Sequence, residues 1–573
     1  MHKIKHFFRM AFLGFTGILS CIITLKTFKS IFIAKEVIIE FGLRPFDICQ
    51  ENMDLWEFIK KTYILSLIST SLIINNYIYS ILVKMKARTF KTKVKNKRSN
   101  KDISLLIGFN NQSKRDVYIP ERGLYQNFLI TGTIGTGKTS SAMYPFTRQL
   151  MEYNSNNKNN KIGMLILDVK GNYYKQVKKF ACKYNMLDDL IILELNSKVK
   201  YNPLHKPELK PQVLANRLKT ILMLFSENNS ESYWLDKAEQ VLTESIKLCR
   251  LYNKGYVTFL ELHKLITLPD YYKEKIEILR KLFISSKFSI QNVYDLNSSL
   301  DFFQNEFSKL DVRTMAILKS EITRITSVFV SDYDISKTFC PPKEELTFEG
   351  FSDLIKNGKI LVLNINIAEY RNLSKIIAAY LKLDFQTEIM SNLSKNKVKT
   401  TAFICDEYAE YVTKTDSEFF SLSREAKCIN IISTQSYSSI KNTLKDEAAM
   451  KVIIQNLINK IWFRTDDIMT VEDAQKQLGK EEKVKTSKSI SENAKETKYN
   501  YITKTLNSRD SNVSESLNTY TQNDYVYDIN EFTQNLETFT ALTFLSDGTK
   551  ILKPSKLKMY PYFLEKEGEI YEK

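Results

Sequence analysis

Apolar residues follow three rhythms along this 573-residue chain, and each rhythm marks a different kind of structure. Near the N-terminus they are continuous. Met10–Leu25 is free of charge, and Tyr63–Val83 adds a second apolar run of 21 residues. A helix rises about 1.5 Å per residue, so the second run is long enough to cross a hydrocarbon layer of about 30 Å. The first needs its flanks, Phe7 and Phe8 on one side and Thr27–Ile33 on the other, which gives candidate spans over about 8–27 and 63–83. From about residue 100 the rhythm changes. Short β-prone runs at 124–131, 163–169, 190–195, 359–367, 400–405, 429–434 and 460–464 alternate with helical stretches. That alternation predicts an α/β fold, a parallel sheet wrapped by helices. Between about 212 and 340 the strand signals vanish and the spacing becomes helical, as in Trp234, Ala238, Val241, Leu242 and Ile246. This stretch reads as an all-helical insertion. Residues 485–524 are polar and rich in Ser, Thr and Asn, and read as a flexible surface loop. No internal repeat is present. The resulting division is an N-terminal anchor at 1–98, a first core part at 99–211, the helical insertion at 212–340 and a second core part at 341–565.

Charge sharpens the N-terminal reading. The chain carries a net charge of +18, and residues 84–98 hold eight Lys or Arg with no acid. Because that cluster directly follows an apolar run, it reads as juxtamembrane positive charge rather than a nucleic-acid face. Lys3, Lys5 and Arg9 precede the first run, whereas the segment between the runs contains Glu36, Glu40, Asp47, Glu51, Asp54 and Glu57. The Lys/Arg bias therefore puts both ends of this stretch on the cytosolic side of a membrane, with a short loop outside and the bulk of the chain in the cytosol. The first run also admits a second reading as a cleaved signal peptide. Ile18-Leu19-Ser20-Cys21 loosely resembles a lipobox, although Leu19 fits that pattern poorly. The seven Cys and four His show no CxxC pair and no ligand spacing, which excludes a zinc-type metal site as an organising feature.

The candidate chemistry begins where Gly123–Thr131, an apolar β-prone run, leads into Gly132-Thr133-Ile134-Gly135-Thr136-Gly137-Lys138-Thr139. This is G-x-x-x-x-G-K-[ST] without deviation, set between a strand and the helical stretch Ser140–Leu150. Gly132, Gly135 and Gly137 let the backbone turn tightly, so that its N–H groups, with those around Thr136 and Ser140, point at phosphate oxygens. Lys138 reaches the β- and γ-phosphates, Thr139 ligates Mg2+, and the helix N-terminus adds to the attraction. The bound species expected are ATP and Mg2+. Mg2+ needs a second carboxylate, and the attacking water needs a polariser. The run Thr400–Ile404 ends in Cys405-Asp406-Glu407, which supplies Asp406 for the metal and Glu407 for the water. A further strand, Ile429–Thr434, ends in Gln435, placed to sense the γ-phosphate.

With these pieces in order, the sequence resembles the type IV coupling proteins of conjugation and secretion. Leu167-Asp168-Val169-Lys170-Gly171 resembles the family's D-x-K-G element, and Tyr201-Asn202-Pro203-Leu204 its N-P-L element. Tyr233-Trp234 opens the helical region in the usual manner. Asp406-Glu407, Thr434-Gln435-Ser436-Tyr437, Asn459-Lys460-Ile461 and an Asp466–Leu478 helix match later motifs, in order over about residues 100–560. The P-loop carries Thr133-Ile134 where many members have Pro-Thr. The resemblance implies a RecA-type P-loop core, a homo-hexameric ring and ATP-driven handling of DNA, expected to be single-stranded, with a bound relaxase or other protein at a secretion channel. It also draws attention to Arg424, in a segment where members carry an arginine. That residue reads either as a surface arginine paired with Glu425 or Glu418, or as a catalytic finger supplied to the neighbouring subunit. Two other functions compete. A septal-type double-stranded DNA pump would want a C-terminal winged helix, and the short tail after Phe544, with its basic Lys550–Lys558, has no such pattern. A non-catalytic nucleotide-binding scaffold would not need Asp406, Glu407 and Gln435 together.

Overall fold

A computed structural model of the chain describes residues 103–564, apart from 158–159, 225–231, 269, 286–288, 396, 495–496, 501, 503–504 and 509–510, and isolated positions before residue 70. The chain divides into two compact units, Met1–Asn100 and Lys101–Lys573, and the second is described here. Apart from Ile22, Leu65 and Ser69, both apolar runs of the sequence reading lie outside the described residues. No described helix is long and apolar enough to cross a membrane.

The core is one 11-stranded sheet. In chain order its strands are β1 (Ser104–Asn110), β2 (Arg115–Pro120), β3 (Phe128–Thr131), β4 (Gly163–Leu167), β5 (Leu190–Leu193), β6 (Ile360–Leu363), β7 (Thr401–Cys405), β8 (Cys428–Thr434), β9 (Asn459–Trp462), and, further on, Thr540–Phe544 and Ser555–Lys558. From β9 the parallel order runs β9-β3-β8-β7-β4-β6-β5. The seven runs picked out by the sequence rhythm all become these parallel strands. They read clearly because both faces are buried, which makes each a continuous apolar run. Side chains alternate between two cores: Phe128 and Ile130 enter one, and Leu129 the other.

The remaining strands extend the sheet past β9 in antiparallel fashion. Thr540–Phe544 pairs with β9, Ser555–Lys558 with that strand, and then β1 and β2 complete the edge. Their short, half-polar sequences gave no strand signal. Between β5 and β6, from Pro211 to Phe339, every described element is helical. The segment read as a flexible loop differs from expectation. Lys480–Ala494 pairs residue for residue with Ser511–Tyr525 as a long antiparallel ribbon. Its alternation of Lys, Thr, Ser, Val and Ile suits a strand with two wet faces, a pattern that composition alone reads as loop.

Candidate nucleotide site

Parallel pairing brings the motif residues to one edge of the sheet. The P-loop follows β3, Gln435 follows β8, Asp406-Glu407 follows β7, and Asp168–Gly171 follows β4, so four neighbouring strands present them at their carboxyl ends. This is the crevice where open α/β sheets bind ligands.

The P-loop is held from outside as well as by its own glycines. Gly137 has φ +98°, and a Cβ there would meet the Phe539 ring at 2.5 Å. Gly132 has φ +153°, with Phe463 closing its Cβ position at 2.6 Å. Thr133 N–H and hydroxyl both donate to the Arg464 carbonyl, at 2.8 and 3.1 Å. Ile134 faces outward, 81% exposed, whereas Thr133 is half-buried against Arg464. Thr136 is buried; its hydroxyl donates to the Thr133 carbonyl at 2.8 Å, and its carbonyl accepts from Phe539 N–H at 3.1 Å. Ser140 Oγ donates to the Gly137 carbonyl at 3.3 Å. The expected helix starts as a π-turn, Thr139–Met143, before Tyr144–Glu152 continues as α. A π-turn at a helix start is a recurrent mark of functional sites.

Lys138 is buried, and its ammonium caps the loop by donating to the carbonyls of Gly132 at 2.5 Å and Thr133 at 3.2 Å. Burial lowers its pKa, while Glu407 and Asp406 oppose that shift. Thr139 Oγ1 donates to Asp406 Oδ2 at 2.9 Å, and Ser433 and the Glu407 N–H both donate to Oδ1. Asp406 is 1% exposed. A hydroxyl and a carboxylate oxygen in contact are hard oxygen donors of the kind that Mg2+ takes together with phosphate and water oxygens. Thr139 and Asp406 therefore fit that ion.

Glu407 adopts left-handed backbone, φ 53°, ψ 47°. Burial raises its carboxyl pKa and Asp406 adds to the rise; Lys138, Lys170 and a hydrogen bond with the Gln435 side chain oppose it. Of the residues singled out in the sequence, the P-loop, Asp406, Glu407 and Gln435 thus stand together. Arg424 does not join them. It lies exposed in a turn at 423–427, after the helix Asp416–Leu422 has ended. That turn precedes β8, so Arg424 sits at the opposite edge of the sheet from Gln435. Three residues given no site role in the sequence reading also belong here. Ser433 holds Asp406. Asp168, buried, accepts from the N–H groups of Lys170, Asn172 and Tyr173 and so caps the helix Tyr173–Lys183. Lys170 places its ammonium 3.7 Å from Glu407 Oε1. The N-P-L element plays a structural role. Asn202 bonds the Val257 carbonyl at 2.8 Å and the Leu204 N–H at 3.0 Å, tying core to helices.

A mostly parallel sheet with a P-loop on one strand and, two strands away, an Asp in contact with the P-loop threonine defines a P-loop NTPase fold. Within it, residues 400–522 match the family model described as the TraM recognition site of TraD and TraG, so this segment carries the signature of the type IV coupling proteins. Solved coupling proteins share the fold. The bacterial conjugative coupling protein TrwBdeltaN70, unbound monoclinic form, aligns with TM-score 0.50 and 15% identity over 81% of this chain and 90% of its own. Its trigonal form with sulphate gives 0.51 and 16% over 80% and 94%. The plasmid coupling protein TrwB in complex with ADP and Mg2+ gives 0.50 and 14% over 80% and 95%. No curated protein sequence matches the chain.

Proposed function

We propose that this protein is an ATP-hydrolysing coupling protein, anchored in the bacterial cytoplasmic membrane by its N-terminal runs. In this reading it delivers DNA, single-stranded and bound to a relaxase, or a protein substrate, to a type IV secretion channel. The observation that carries the reading is the shared carboxyl edge of β3, β8 and β7. There Thr139 and Asp406 touch, and Glu407 lies within hydrogen-bonding reach of Gln435.

In the working site the loop amides and Lys138 hold the phosphates. Lys138 exchanges its carbonyl contacts for β- and γ-phosphate oxygens, which carry more charge and so make stronger bonds. Thr139 and Asp406 would hold Mg2+, whose positive charge offsets charge on the phosphoryl oxygens. Glu407, whose ionised form Lys138 favours against burial, orients and polarises the attacking water. Gln435 holds Glu407 and registers the γ-phosphate. Motion at Gln435 passes into the helix Tyr437–Leu444, which begins one residue past the Ser436 cap. A homo-hexamer in the membrane would place these sites between neighbours around a substrate path. The test is transfer of a relaxase-linked strand between cells carrying wild type or Lys138→Ala. Transfer should be abolished while the variant stays in the membrane fraction; normal transfer by the variant would refute the coupling of nucleotide chemistry to delivery.

A further inference from the structure

Lys170 stands at the outer corner of the site, on a turn that is built rather than loose. Its N–H donates to Asp168 Oδ1 at 3.1 Å, the Val169 carbonyl accepts from Ile367 N–H at 3.2 Å, and Gly171 turns the chain at φ +63°. A Cβ on Gly171 would press on the Asn366 backbone at 3.2 Å, so the turn also fits closely against the segment that follows β6. The backbone is thus fixed beside Asp406-Glu407 by the pairing of Leu167 with Cys405. The side chain is not fixed in the same way. It is 56% exposed, and its ammonium lies 3.7 Å from Glu407 Oε1, an ion-pair separation too long for a hydrogen bond. With its ammonium in solvent and no hydrogen bond to Glu407, Lys170 is held there only weakly.

The charges around it show what it would exchange for. Asp406 and Glu407 face the place where the γ-phosphate of ATP must lie, because the P-loop and Thr139 fix the phosphate chain beside them. Lys138 is buried against the loop and serves the β–γ bridge. A γ-phosphate arriving there brings more negative charge than Glu407 alone, next to a flexible four-carbon stem already in that field. Lys170 and Lys138 both act on Glu407, each opposing the rise in its carboxyl pKa.

Resting on the ATPase reading above, we propose that Lys170 is a ligand of the γ-phosphate. It pairs with Glu407 when no γ-phosphate is present and moves to a γ-phosphate oxygen when ATP binds, which frees Glu407 to take the water. The switch makes the site respond to ATP and not to ADP.

The experiment compares binding of ADP and of the non-hydrolysable analogue ADPNP by the full chain in detergent, with Mg2+. The proteins are wild type, Lys170→Ala, Lys170→Arg, Glu407→Gln and the Lys170→Ala/Glu407→Gln pair. Loss of a charge-assisted hydrogen bond predicts that Lys170→Ala binds ADPNP about 10-fold or more weakly while ADP binding changes less than about 2-fold. Lys170→Arg should recover part of the difference. The loss should persist in the Glu407→Gln background, because the lost contact is to phosphate and not to Glu407. Equal loss for both nucleotides, or none, would overturn the assignment, and so would a loss that disappears once Glu407 is neutral. In each of those cases the wild type still binds nucleotide and the ATPase reading survives. A wild-type chain that binds neither nucleotide would instead overturn both.

Discussion

Glu407 is held in a backbone conformation that costs a residue of its type about 1 kcal/mol, and that cost is tolerated where it aims a functional side chain. Replacing it with Gln keeps the shape and removes the charge that polarises water. Glu407→Gln should therefore bind ATP normally and hydrolyse it at least about 100-fold more slowly, measured as bound nucleotide retained after gel filtration. Loss of binding instead would make Glu407 a structural residue. The pH dependence follows in sign. The carboxyl pKa is raised above 4.5, chiefly by burial, and only the ionised form works. Turnover should accordingly fall on acidification while an ordinary glutamate is still ionised, and the fall should disappear from the residual rate of the Gln variant. At this scale the sequence was informative wherever a motif sits at the end of one strand: the P-loop, Asp406-Glu407 and Gln435. Ser433 was not legible as a site residue, and Lys170 was legible only as part of a motif with no role attached. Their roles depend on β4, β7 and β8 lying side by side, which no local spacing states.

The elements that carry these residues are pinned by a buried ion pair below the site. Lys382, on the helix Arg371–Ser394, pairs with Asp416 at 2.6 Å, and both side chains are fully buried. Asp416 also accepts from Tyr408 hydroxyl, Thr413 N–H and Gln386, and Lys382 donates to the Tyr411 carbonyl and Thr413. The network spans the segment that leaves Glu407. Removing one partner strands the other as a buried charge, so Lys382→Met or Asp416→Leu should each cost about 3–5 kcal/mol in denaturant unfolding, and the double variant much less than their sum. Additive losses would mean that the pair is not coupled. The strands with both faces buried were readable as apolar runs. The edge strands β1 and β2, and the ribbon of Lys480–Ala494 with Ser511–Tyr525, were not. Their pairing comes from residues far along the chain, and their exposed faces let polar side chains hide the two-residue period.

For the whole molecule, Arg424 poses the question of assembly. It precedes the seven-residue β8, while Gln435 follows it, so the two are separated by about 20 Å along the strand. Arg424 cannot serve the P-loop of its own chain; as a finger it would have to act on a neighbour. Arg424→Ala should then leave ATP affinity unchanged and cut turnover by about 1000-fold, and mixing it with Lys138→Ala subunits should restore activity at interfaces that pair an intact loop with an intact arginine. Near-normal turnover of the single variant, with no gain on mixing, returns Arg424 to the surface. Arg424 was found by motif order, but only the strand direction shows which edge it occupies. The central claim, that this chain is a nucleotide-driven motor, rests most directly on phosphate release by the purified full chain in detergent with ATP and Mg2+, with and without single-stranded DNA. Release that depends on Mg2+, rises with DNA and is lost in Lys138→Ala is the predicted result; no release under either condition, or equal release by the variant, would contradict it.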